Sequence, residues 1–217
     1  MHTISKLIAL TALAAGTVMI SVAAPSQAQT ERQAAQSGTV IVPPPAVCCT
    51  PAQQPVLTNA SWTVKPPSAP VMNAVVVTNP NPGWHVPVQG AQWIANVANA
   101  GLGSHPGGPY VYTTTFCLCT VPKGLASFPA AMFLSILADN SFSARLNPPI
   151  NPPFATGGPT AFINPTNVNV PASQFKPGLN TLEITVSNLP GSPTGLAVSG
   201  WIAGYFLQVP YGGHCPP

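Results

Sequence analysis

Charge is what this 217-residue sequence has least of. The acidic residues are Glu31, Asp139 and Glu183; the basic ones are Lys6, Arg32, Lys65, Lys123, Arg145 and Lys176. That is 4% of the chain, where an ordinary globular protein has about 25%. The shortage excludes several classes. A nucleic-acid binder needs a basic face to displace counterions from phosphates, and six scattered cations make none. A coiled coil needs Glu and Lys flanking apolar heptads. Disorder of the usual kind combines high charge with low hydrophobicity, whereas 46% of these residues are hydrophobic. Paired-carboxylate catalysis would have only Asp139 and Glu183 in the body of the chain, and Glu183 alternates with apolar residues and so faces away from them. No GxSxG elbow, HExxH pair or phosphate loop is present. The chain is expected to be no enzyme and to need no cofactor.

The first 28 residues read as a secretory signal. His2 and Lys6 precede an apolar run from Leu7 to Ala24, and Ser26-Gln27-Ala28 places small residues at a cleavage site. No second apolar stretch is long enough to span a bilayer, so no integral membrane segment is expected after cleavage. The expected location is secreted, periplasmic or cell-surface. Disulfides are the default for cysteines in such a compartment. There are five: Cys48, Cys49, Cys117, Cys119 and Cys215. Cys117 and Cys119 leave the same face of a strand-like run, so the expected partners are Cys48, Cys49 and Cys215, which would staple both chain ends to that strand. The competing reading is a soft-metal site of these thiolates with His214, although the spacing fits no familiar zinc pattern.

Prolines number 29 and glycines 18. Residues 29–58, with Pro43-Pro44-Pro45, read as an extended linker or arm, and 210–217 as a Pro/Gly-rich tail. Between them, over 59–209, short β-rich runs recur between turn residues. Strands are expected over 61–64, 74–78, 92–95, 110–118, 131–138, 141–146, 160–163, 181–186 and 196–206. Tyr110, Tyr112, Thr114, Phe116 and Leu118 share one face, as do Leu182, Ile184 and Val186. Residues 133–146 read as a hairpin turning at Asp139-Asn140. Such alternation indicates an all-β, antiparallel sandwich or barrel with a Pro-rich N-terminal extension.

Four runs carry a family resemblance: Trp62-Thr-Val with Ala74-Val-Val-Val-Thr-Asn and Gly83-Trp84; Ala91-Gln-Trp93-Ile94 leading to Tyr110-Val-Tyr112-Thr-Thr-Thr-Phe116; Ala138-Asp139-Asn140 with Ala144-Arg-Leu146-Asn147; and the stretch from Phe175 to Asn188 with Pro193-Thr-Gly195-Leu196. In this order they resemble the galactose-binding-like β-sandwich of exported bacterial proteins, some of which carry a PEP-CTERM sorting tail. The resemblance implies a jelly-roll β-sandwich, and no sorting tail is expected here. The resemblance spans roughly residues 60–206 and implies a non-catalytic module that binds sugars.

Sugar binding needs flat aromatic rings and a few hydrogen-bonding groups. Candidates are Trp84, His85, Trp93, Asn96 and Tyr205, with Trp84 expected to stand exposed in its turn. Trp62, Trp93 and Trp201, in strand-like runs, are read chiefly as core. Asp139 with Asn140 is a weak calcium candidate that turn formation explains equally well. The expected partner is an extracellular polysaccharide. Low charge and a positive mean hydropathy also fit self-association, as in a fibre, surface-layer or matrix subunit.

Overall fold

A computed structural model describes residues 49–87, 90–119 and 130–207. Residues 1–48, read as a signal and most of the arm, and the tail from 208 onward lie outside the described residues. Twelve strands follow in order: β1 (Cys49–Pro55), β2 (Thr63–Lys65), β3 (Met72–Asn73), β4 (Val75–Val76), β5 (Ile94–Ala95), β6 (Gly108–Leu118), β7 (Ala131–Asp139), β8 (Ser141–Leu146), β9 (Ala155–Gly157), β10 (Thr166–Val170), β11 (Gly178–Asn188) and β12 (Gly195–Leu207). One 3₁₀ turn, Ala172–Gln174, precedes β11.

All pairings are antiparallel, along the path β10-β7-β12-β6-β11-β8-β9, with β1 and β5 also on β12 and β2 on β6. The two halves meet where Phe206 of β12 pairs with Leu118 of β6. The sheet is thereby an antiparallel sandwich. One layer holds β10, β7, β12 and β1; the other holds β2, β6, β11, β8 and β9. Both layers contribute to one core, with Leu134, Ile136, Leu196, Val198 and Ile202 from the first and Tyr112, Leu182, Ile184, Val186, Ala144 and Leu146 from the second. Each buried aliphatic side chain contributes roughly 1.5–3 kcal/mol, so apolar burial and not ion pairing holds this fold.

The period-two expectation holds in β11, where Leu182, Ile184 and Val186 are buried and Glu183 and Thr185 are not. Three expectations are corrected. Residues 133–146 are not a hairpin: β7 pairs with β10 and β12, whereas β8 pairs with β11 and β9. Asp139-Asn140 is thus an arch that carries the chain from one layer to the other. Residues 160–163 form a turn, closed by Ile163 N–H donating to the Thr160 carbonyl at 3.0 Å, and the strand comes after it, at Thr166–Val170. Its asparagines at 167 and 169 are poor strand formers and hid it. Last, the sandwich includes residues 49–55, inside the segment read as linker or arm, because β1 pairs with residues 201–207 of β12.

Gly200 shows how close β12 and β7 lie. A Cβ there would meet the Phe133 carbonyl oxygen and the Leu134 Cα, both backbone atoms that cannot rotate away. Gly200→Ala is therefore expected to pry the strands apart and cost about 1–3 kcal/mol, read as a lowered urea midpoint. An unchanged midpoint would mean that the strands can separate freely here.

Candidate functional site

The outer face of the β10-β7-β12-β1 layer divides into a covered part and an open part. Over the first part lie Trp84 and Trp93, with ring centroids 4.2 Å apart. They form a second apolar cluster with Val77, Ala95, Ala100, Leu137 and Ala197. Gly195 admits them, since a Cβ there would strike the Trp84 ring at 2.9 Å. The Trp84 indole N–H donates to Asp139 Oδ2 at 2.7 Å, and the Trp93 indole N–H donates to the His85 carbonyl at 3.1 Å. Trp84 is thus only 7% exposed. Its expected exposure is corrected: the turn that carries it folds back over the sheet, because two indoles bury more apolar area there than solvent exposure would leave. Trp93 is buried, as its strand context indicated. The Asn96 side-chain amide oxygen, Oδ1, is buried without a hydrogen-bond partner among the described residues. His85 is exposed, and its Nδ1 lies 2.7 Å from the Val86 carbonyl.

Asp139 and Asn140 form a knot at the arch. Asp139 Oδ1 accepts from the Asn140 amide, while Asn140 Oδ1 accepts from Leu189 N–H at 2.9 Å and from the Ser192 hydroxyl at 3.2 Å. Both Asp139 carboxylate oxygens are therefore occupied by protein donors, which accounts for the pair structurally. No group of three or more His, Cys, Asp or Glu side chains able to hold a metal occurs among the described residues. Cys119 is buried, Cys117 half-buried, and neither lacks a partner. The side chains of Cys48, Cys49, His214 and Cys215 lie outside the described residues.

Burial raises the Asp139 carboxyl above its ordinary 3.8, and the Trp84 hydrogen bond opposes this. The folded chain therefore holds that proton more tightly than the unfolded chain. This contribution to stability is fully present below the unfolded value and is lost as pH rises through the raised one. Asp139→Asn is expected to flatten the slope of stability against pH just above 3.8, measured by urea midpoints. A slope that persists unchanged would assign it to another group.

The open part of the face holds a groove of about 430 Å³, lined by Phe133, Ser135, Pro165, Asn167, Ser199, Gly200 and Trp201. Its geometry follows from strand parity. On β12 the even residues Val198, Ile202 and Phe206 enter the core, so the odd residues Ser199, Trp201, Ala203 and Tyr205 face outward. Trp201 pairs in register with Phe133, and Ser199 with Ser135. On β10, Asn169 lies opposite Phe133 and Asn167 opposite Ser135. The Trp201 and Phe133 ring centroids are 6.5 Å apart with planes 26° from parallel. Trp201 is 36% exposed, which corrects its reading as core. Beside this aromatic pair runs a row of short polar side chains, Ser199, Ser135 and Asn167. Within the described residues none of these three side chains is tied to another protein group.

Of the sequence candidates, only Tyr205 shares the face of this groove. Trp201 and Phe133 were missed, yet a signal is present: the large aliphatic residues Leu196, Val198 and Ile202 keep even numbers, and Trp201 breaks that parity.

No protein-family model matches this sequence, and no curated protein matches it. Solved structures similar to it include an FMN-binding beta-glucuronidase from Facaelibacterium prausnitzii L2-6, at 16% identity and a TM-score of 0.42, over 70% of this chain and 23% of that one. The chain thus spans about a quarter of that enzyme's length. A family 35 carbohydrate binding module from Clostridium thermocellum matches at 12% identity and a TM-score of 0.39, over 69% of this chain and 97% of that one. A family 35 module from an environmental isolate matches at 16% identity and a TM-score of 0.30, over 65% and 85%.

Proposed function

We propose that this chain is an exported, non-catalytic β-sandwich module that binds carbohydrate on the outer face of β7, β12 and β10. The Trp201–Phe133 pair carries the reading. Two near-parallel rings beside a groove form an apolar surface suited to the C–H face of a pyranose ring. The hydroxyls of Ser135 and Ser199 and the amide of Asn167 stand where sugar hydroxyls need donors and acceptors. Ligand sites combine these two elements, mostly apolar walls with a few placed polar groups, in volumes of roughly 300–1,000 Å³. Tyr205, on the same face, belongs to the proposed site.

The experiment is a polysaccharide panel run by affinity electrophoresis with the purified chain and its Trp201→Ala variant, with sedimentation alongside. Retardation of the wild-type chain by at least one polysaccharide, abolished in the variant, supports the module. Absence of any retardation, with growth into polymers instead, overturns it in favour of a structural subunit.

A further inference from the structure

We infer that the groove serves a linear, uncharged polysaccharide and engages several consecutive sugar units along β12. This rests on the carbohydrate-binding reading above and adds two features to it, neutrality and length.

Neutrality follows from the placement of the charges. Among the described residues the ionised side chains are Lys65, Asp139, Arg145, Lys176 and Glu183. Lys65 is on β2, Arg145 on β8 and Glu183 on β11, all in the opposite layer, and Lys176 lies in the loop entering β11. Asp139 is buried beneath Trp84. The groove itself is lined by aromatic, hydroxyl, amide, proline and glycine groups only. A uronate or sulfated sugar would bring a carboxylate or sulfate onto this face, where none of the described residues supplies a cation to meet it. Partial desolvation of that anion would be uncompensated. A neutral sugar has no such cost.

Length follows from β12 itself. Trp201 and Tyr205 lie four residues apart on the same face, roughly 13 Å along the strand. Between them the floor is low: Ala203 pairs with Ala131 on one side and with Gln53 on the other. Gln53 and Ala131 are exposed, and Tyr205 is half-buried. A single sugar on Trp201 leaves Tyr205 unused. A chain lying along β12 reaches the second ring and passes the Gln53 amide.

The test is calorimetric titration of the full chain with cello-, xylo- and manno-oligosaccharides, each as disaccharide and hexasaccharide, and with oligogalacturonides of the same lengths, at low and high salt. In at least one neutral series the hexasaccharide is expected to bind about tenfold tighter than the disaccharide. Tyr205→Ala should erase that gain, bringing the hexasaccharide down to the affinity of the disaccharide. Salt should not alter affinity, since no ion pair forms. Tighter binding of oligogalacturonides, weakened by salt, overturns neutrality and leaves the carbohydrate-binding reading standing. Equal affinity for short and long neutral oligomers overturns the extended site alone. If no carbohydrate binds the wild-type chain, the underlying reading fails with it.

Discussion

Trp201→Ala is expected to lower polysaccharide affinity by on the order of a hundredfold while leaving the fold intact. The two halves of this expectation have separate causes. Trp201 is on the solvent side of β12, 36% exposed, with its stacking partner Phe133 on the neighbouring strand. Its truncation removes half of the apolar platform of the groove. A ring that anchors a ligand this way commonly accounts for about 2–3 kcal/mol. The cost to stability is restricted to the exposed aromatic contact with Phe133, about 0.5–1.5 kcal/mol. Trp201→Phe keeps a ring and should retain part of the affinity. The measurement is affinity electrophoresis paired with thermal melts of the same samples. Undiminished retardation of Trp201→Ala would place the site elsewhere on the molecule.

Trp84→Ala should do the reverse, with a large loss of stability. The ring packs with Trp93, Leu137 and Ala197 in one buried cluster, and its N–H is a protein donor to a buried carboxylate. Removing it opens a cavity, for which about 3–5 kcal/mol is usual. It also strips Asp139 Oδ2 of its donor. In a chain of this size the melting temperature should fall by roughly 10 °C or more. Trp84→Phe separates the two contributions. It retains much of the ring contact but loses the N–H, which costs about 1–3 kcal/mol for the unpaired buried acceptor. With the opposing hydrogen bond gone, the Asp139 carboxyl should rise further above 3.8. Thermal melts of both variants across pH check this. A Trp84→Ala variant as stable as the wild type would show that the loop does not close over the sheet.

These two tryptophans exchange the places that local sequence gave them. Trp84 follows Asn81-Pro82-Gly83, a turn, and turns are usually exposed. Local reasoning has no access to the fact that this turn lies over Leu137 and Ala197, more than fifty residues away, or that Gly195 leaves room for the rings. Trp201 sits in an apolar run where bulk suggests core. The parity of 196–206 instead assigns it to the outer face, opposite Val198 and Ile202. The arch at Asp139-Asn140 follows the same logic. Asp-Asn is a competent turn for a hairpin, and only the partners of β7 and β8 make it a crossing between layers.

Composition and periodicity alone determined the class of this protein. Very few charges, abundant turn residues and clean alternation in runs such as Leu182-Glu-Ile184-Thr-Val186 suit strands buried on one face, and no other architecture suits that pattern as well. What the tertiary structure decided is which strands are neighbours, and hence which side chains meet. Trp201 and Phe133 are separated by 68 positions of sequence and joined by one register pair, while Trp84 finds Asp139 across 55. Alternation specifies the face on which a side chain stands, because it is a property of one strand. It carries no information about the strand alongside, because pairing is a property of two.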